Sequence, residues 1–176
     1  MIGAIVYKSK YGATKKYAEW LREKTGYDLL ELSNITVKDL LKYEILIFGG
    51  GIYASGVPVT NFLKKNYSSL SQKKIIVFCD GASPYEEKTF LEIKERVMTG
   101  ELKDIPFFYC RGAWNMEVMS FVDKNLCKMF QKAVAKKDSK DYKLWECALM
   151  EAGNDSKDWT DPTYLEPILE EIERMI

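Results

Sequence analysis

The chain has 176 residues, 47% apolar and 30% charged, with 26 basic residues balancing 26 acidic ones. That length and apolar content describe one domain with a substantial core, and the zero net charge excludes a global field that would steer it to nucleic acid. It contains no histidine, which excludes a His-based triad, a His-ligated zinc and an imidazole base, so any chemistry is expected to reside in a cofactor.

No apolar run approaches the ~20 residues of a membrane span. Residues 1–7 lack the basic start and small-residue cleavage site of a signal peptide, and a cytoplasmic location is expected. The four cysteines, Cys79, Cys110, Cys127 and Cys147, have no CxxC spacing. They read as reduced, buried thiols rather than as a disulfide framework or a metal site.

An apolar run over 2–7 predicts a first buried strand. The polar loop Ser9-Lys10-Tyr11-Gly12-Ala13-Thr14 follows, and a helical pattern over 14–25 places Tyr17, Ala18 and Leu21 on one side. A strand, a Gly- and hydroxyl-bearing turn and a helix start make an anion cradle. Free N–H groups at the helix N-terminus face outward and the helix dipole favours negative charge. Ser9 and Thr14 add hydroxyls and Gly12 permits close approach. An ordinary strand-to-helix turn has a similar composition, and the position directly after the first strand favours the cradle.

Further strands are expected over 27–32, 44–48, 74–79 and 106–110, with helical stretches over 14–25, 59–67 and 85–98 and a short turn over 37–41. Alternating β and α elements predict a doubly wound parallel sheet, whose ligand sits beyond the carboxyl ends of its strands. The loops after strands one, three and four then converge. The second of these carries Gly49, Gly50, Gly51 and Gly56, and its Ile52, Tyr53 and Ala54 are placed to meet a ligand. Tyr53 can offer a flat face to a heterocycle, a contact worth about 1 kcal/mol beyond its area. The third loop, Asp80-Gly81-Ala82-Ser83-Pro84-Tyr85, supplies backbone donors, a carboxylate and an aromatic ring. Taken alone, Asp80 and Ser83 read equally as turn formers or caps. After strand five come Arg111 and Trp114, the one suited to an anionic substrate and the other to a pocket wall, or else to a surface pair and a sheet-edge cover. Cys79 and Cys110 end adjacent strands, a placement open to a redox-active pair or to simple packing.

Beyond strand five, a helix expected over 118–136 repeats Lys124, Lys128, Lys132 and Lys136 every four residues, with Leu126, Met129, Phe130, Ala133 and Val134 largely on the other side. Such a basic amphipathic helix either rests on an anionic bilayer, at the inner face of the membrane, or packs on the sheet with a solvated lysine face, the commoner arrangement. Residues 136–143 read as an exposed loop, 145–152 as an extra helix, 153–156 as a turn and 162–176 as a closing helix started by Asp161 and Pro162. The whole chain, 1–176, reads as one domain with an extra segment at about 136–160.

No lysine follows the first-loop glycine as in a Walker A loop, and no GxGxxG opens the chain. One phosphate cradle with a Gly-Tyr stacking loop fits a mononucleotide, FMN.

On these elements and loops the chain resembles the flavodoxins. Ser9-Lys10-Tyr11-Gly12-Ala13-Thr14 is similar to their S/T-x-T-G-x-T phosphate loop, with Tyr11 in place of the usual Thr. The resemblance is closer to the flavodoxin-like, menaquinone-dependent protoporphyrinogen oxidases. It rests on Gly49 to Gly56, on Phe62-Leu63-Lys64-Lys65, on Arg111-Gly112-Ala113 followed by Phe121-Val122-Asp123-Lys124, and on Trp159-Thr160-Asp161 before the last helix. The flavodoxin likeness implies a sandwich with strand order 2-1-3-4-5, helices on both faces and non-covalent FMN. Ser9 to Thr14 would hold the phosphate, Gly51, Ile52, Tyr53 and Ala54 would line one side of the ring, and Asp80, Gly81, Ala82, Ser83 and Tyr85 the other. The oxidase likeness implies electron flow from protoporphyrinogen to a quinone; Arg111 and Trp114 are placed at the substrate by their position after strand five alone, and no metal is expected. A carrier with no substrate of its own, serving a protein redox partner, and an FMN-free interaction module are the competing readings. Balanced charge and Lys8, Lys10, Lys15 and Lys16 near the phosphate loop favour an electron-accepting flavin over a low-potential carrier.

Overall fold

β-Branched and aromatic runs with little alternation pair in parallel because both of their faces can be buried. In the computed structural model, which describes residues 2–53 and 56–176, five such strands form one sheet. They are β1 (Gly3–Lys8), β2 (Asp28–Glu31), β3 (Ile45–Gly51), β4 (Lys74–Gly81) and β5 (Phe107–Arg111), paired in parallel in the order β2-β1-β3-β4-β5. This is the order that the flavodoxin resemblance implies.

Helices α1 (Ala13–Thr25), α2 (Val37–Leu40), α3 (Pro58–Leu70) and α4 (Glu87–Val97) join them. On one face Val6, Phe48, Val77 and Cys79 pack beneath Leu40 of α2, Val59 and Leu63 of α3 and Val97 of α4. On the other, Ile5, Ile47, Phe78 and Cys110 pack beneath Tyr17, Ala18 and Leu21 of α1 and the C-terminal helix.

The ladder corrects one reading, the glycine loop, and decides between two others, for Cys79 and Cys110, in favour of packing. The glycine run, read as a loop after residue 48, continues β3 and is buried through Gly51. The reason is steric: a Cβ on Gly49 would lie 2.1 Å from the Phe78 ring. Gly49→Ala is therefore expected to cost at least about 1–3 kcal/mol by overpacking, read as a lowered urea midpoint with an unchanged slope. The thiols do not form a pair. β4 and β5 pair Cys79 with Tyr109 and Asp80 with Cys110, so Cys79 and Cys110 project from opposite faces into separate clusters. Both are buried free thiols.

Between β5 and the last helix the chain builds a lobe. It holds the short strands β6 (Ala113–Asn115) and β7 (Ser156–Asp158), antiparallel to each other, and the helices α5 (Phe121–Val134) and α6 (Leu144–Ala152). The chain closes through a 3-10 turn (Pro162–Leu165) into α7 (Glu166–Met175). The stretch 136–143 contains a second 3-10 turn, Ser139–Asp141.

The arrangement with α5 packed on the sheet does not occur. Neither core cluster contains an α5 residue. α5 leans instead on α6, with Phe130 edge-on to Trp145 at 6.3 Å and the Gln131 amide donating to the Gly153 carbonyl at 2.6 Å.

Candidate functional site

The loops that leave the carboxyl ends of β1, β3 and β4 meet at one edge of the sheet. In the first, the Gly12 N–H donates to Ser9 Oγ at 3.0 Å and draws the chain into a tight turn. Gly12 then starts α1 at φ 101°, with no side chain capping the helix. The N–H groups of the first turn, from Ala13 onward, have no intrahelical partner and face outward. A Cβ on Gly12 would meet nothing within 4 Å. An open helix N-terminus under a left-handed glycine is a cradle for an anion.

The loop is held from outside. The Lys10 ammonium and the Tyr11 hydroxyl both donate to Asp123 of α5. Those bonds hold the Asp123 carboxyl below its ordinary value and raise the Lys10 ammonium. The Lys10 backbone N–H donates to the Tyr53 hydroxyl at 3.2 Å, which ties the first loop to the second. Tyr53 lies close over Gly51, whose Cβ would sit 2.7 Å from its Oη. Burial pushes the Tyr53 phenol up to about 12. Its backbone bonds reciprocally with Gly56, at 2.9 and 2.8 Å, and Ile52 N–H donates to the Asp80 carbonyl at 2.8 Å. Ala54 lies outside the described residues.

Asp80 is the buried carboxylate of the site, 7% exposed. Thr14, itself buried, donates its hydroxyl to Asp80 Oδ1 at 2.5 Å. Desolvation lifts the Asp80 carboxyl to about 6 against the pull of that hydrogen bond. Tyr109 and Arg111 fix the rest of the third loop. The Tyr109 hydroxyl lies 3.0 Å from the Gly81 carbonyl and 2.5 Å from that of Ser83, and Arg111 Nε donates to Ala82 at 3.1 Å. The Arg111 guanidinium also stacks 4.5 Å over Trp159.

Beside the second and third loops opens a cleft of about 530 Å3, lined by Ile52, residues 81–86, the α4 side chains Phe90, Ile93 and Arg96, and Tyr109 and Trp145. Tyr85 is half exposed there and lies 6.1 Å from Tyr109. Neither Arg111 nor Trp114, the residues expected at a substrate, lines this cleft. Arg111 is used within the protein, and the Trp114 indole N–H is buried without a hydrogen-bond partner among the described residues.

Sequence reasoning placed the three loops but missed Asp123, Tyr109 and the α4 wall. Asp123 could have been sought from Tyr11, whose departure from the usual Thr demands some other use of the side chain. Among the described residues no cluster of three or more His, Cys, Asp or Glu is placed to hold a metal ion, and no helix is long and apolar enough to cross a membrane.

A parallel 2-1-3-4-5 sheet with an open anion cradle after β1, flanked by a glycine-tyrosine loop and an aromatic cleft, is the architecture of an FMN-binding flavoprotein. Residues 4–142 match the family model described as flavodoxin domain, and the chain belongs to that family, with FMN as its cofactor. No curated protein matches the chain. Among solved structures it is similar to a Trp repressor binding protein from Bacillus subtilis, with 20% identity and a TM-score of 0.45 over 64% of this chain and 83% of that one. It is also similar to a flavoprotein in complex with FMN from Lactobacillus acidophilus, at 15% identity and TM-score 0.43 over 62% and 91% of the two chains. A flavodoxin 2 from Bacillus cereus matches at 17% identity and TM-score 0.41, over 86% and 99%.

The residues fit the cofactor. The cradle offers N–H donors and open space where a phosphate needs both, and the glycine-tyrosine loop and the cleft lie beside it. Thr14 stands apart, because its hydroxyl proton is committed to Asp80.

Proposed function

We propose that the chain is an FMN-dependent oxidoreductase of the quinone-dependent protoporphyrinogen oxidase type, which takes electrons from a reduced tetrapyrrole macrocycle and passes them to a quinone. The single observation that carries this reading is that the 530 Å3 cleft runs past the residues assigned to the flavin ring, Ile52 and 81–85, to Phe90, Ile93 and Arg96 of α4 and to Trp145. A carrier needs only an exposed ring edge, whereas a small-molecule oxidase needs room for a second molecule with apolar walls and a few fixed polar groups. Phe90, Tyr85, Tyr109 and Trp145 supply the walls, and Arg96 is the cation in the cleft for a substrate carboxylate. FMN, when bound, supplies two-electron acceptance and stepwise release.

In this reading the chain positions and excludes. The Ser9 hydroxyl and the first-turn N–H groups from Ala13 onward hold the phosphate, while the Gly12 N–H braces Ser9 Oγ. Asp123 keeps Lys10 and Tyr11 in place around it. Gly51, Ile52 and Tyr53 line one side of the ring. Tyr109 and Arg111 occupy the carbonyls of Gly81, Ala82 and Ser83, which braces that loop beside the ring site.

Tyr53→Ala is expected to weaken FMN binding about five- to tenfold through loss of the ring contact. Tyr53→Phe retains most of the affinity, since it loses only the hydroxyl that Lys10 N–H reaches. Fluorescence-quenching titration separates the two variants, and equal affinities for wild type and Tyr53→Ala would remove the stacking assignment.

One observation favours a carrier. Asp80, buried behind the phosphate loop and ionised above about pH 6, disfavours an added negative charge on a nearby flavin and lowers its potential. Anaerobic mixing of the FMN-loaded protein with protoporphyrinogen and a menaquinone analogue decides between the two. Porphyrin fluorescence that requires both FMN and quinone supports the oxidase. No porphyrin, with a one-electron-reduced flavin accumulating on stepwise titration, supports the carrier.

A further inference from the structure

Helix α5 presents to solvent an apolar stripe that the rest of the chain leaves uncovered. Phe121, Val122 and Met129 are 81%, 72% and 58% exposed, and Leu126, Phe130 and, from α6, Trp145 continue the patch. Single exposed apolar side chains are ordinary, but a contiguous group on one small lobe marks an interaction surface. Along the neighbouring flank of the same helix, Lys124, Lys128 and Lys132 line an open cleft of about 510 Å3. Lys124 donates to the Glu117 carbonyl at 3.0 Å. Among the described residues Lys128 and Lys132 have neither a hydrogen bond nor an ion pair. Of the nearby carboxylates, Asp123 is bonded to Lys10 and Tyr11 and Glu146 to Lys137, and Glu117 lines the cleft beside the row, which leaves three lysines facing one carboxylate there.

We propose that this α5–α6 face docks on the surface of a bilayer containing anionic lipid. The apolar stripe enters the interfacial zone, and Lys128 and Lys132 reach headgroup phosphates on flexible stems. The juxtaposition selects this occupant. A second copy of the chain laid face to face would bring like-charged lysine rows together, and the centre of a protein interface is depleted in lysine. A headgroup layer takes an apolar stripe and a lysine row side by side. Trp145 belongs both to the patch and to the 530 Å3 cleft, so the docked face borders the mouth of that cleft, on the path of a lipid-dissolved molecule. The docking rests on α5 and α6 alone and stands whichever electron donor is used.

Co-sedimentation of the FMN-loaded protein with vesicles tests it without an activity readout. Phosphatidylcholine vesicles are compared with vesicles that also contain phosphatidylglycerol. The wild type is expected to pellet at least tenfold more with the anionic vesicles and to be released by salt. Lys128→Glu and Lys132→Glu should each lower partitioning about fivefold or more. Phe121→Ser/Met129→Ser should abolish it while the flavin absorption spectrum, which reports the folded site, is unchanged; these exposed positions leave the core intact. Absence of pelleting by monodisperse protein overturns the proposal. So does a dimer in sedimentation velocity that Phe121→Ser/Met129→Ser dissolves, which assigns the face to a second copy. Pelleting that is insensitive to the lysine variants also overturns it.

Discussion

Asp80→Asn is expected to stabilise the protein at about pH 8 by roughly 1–3 kcal/mol and to flatten its stability profile between about pH 4 and pH 6. The sign follows from the proton count. Burial lifts the native carboxyl to about 6 from its ordinary 3.8. Between those values the native state holds a proton that the unfolded chain has released, so stability falls as pH rises through the window, and the full cost is present above it. Asparagine carries no charge to desolvate, and its Oδ1 can still accept the Thr14 hydroxyl. The same change removes an anion from behind the phosphate loop, so FMN affinity at about pH 8 should rise, and of the pH dependence only the part set by the phosphate's own second ionisation, at about pH 6, should remain. Urea unfolding and FMN titration of wild type and variant across this range are the measurements. Parallel profiles for the two proteins would show that Asp80 carries no such burden.

Gly12→Val is expected to weaken FMN binding about a hundredfold or more. A β-branched residue at φ 101° carries strain of roughly 1–3 kcal/mol. Its side chain would also occupy the open space over the helix N-terminus, where the phosphate must approach. The global fold should survive, because Gly12 touches no core residue. The check is a fluorescence titration alongside a far-ultraviolet spectrum. A folded Gly12→Val protein with wild-type affinity would place the phosphate elsewhere.

Much of the sheet was legible because strand and helix alternate with distinct periods, and because buried parallel strands announce themselves as unbroken apolar runs. Legibility failed where a contact overrides composition. The Gly49–Gly51 run looks like a loop until Phe78 is seen over Gly49, Val57 against Gly50 and Tyr53 over Gly51, each leaving little or no room for a side chain. Cys79 and Cys110 look adjacent, but only the ladder register, with Cys110 opposite Asp80, puts them on opposite faces. β6 and β7 span three residues each, too few to show alternation. At the site, the loops after β1, β3 and β4 could be read as partners from topology alone. Their fastenings could not. Asp123 is 112 residues from Tyr11 in the chain, and Arg111, which reads as a substrate anchor, is a brace.

That fastening by Asp123 ties the phosphate loop to α5, none of whose residues belongs to either sheet core. A unit of that kind can open while the sheet stays closed. FMN is then expected to escape faster when Asp123→Ala cuts that fastening, read by stopped-flow release of flavin fluorescence. Binding of the cofactor should in turn slow amide exchange along α5, well beyond the residues that a phosphate touches.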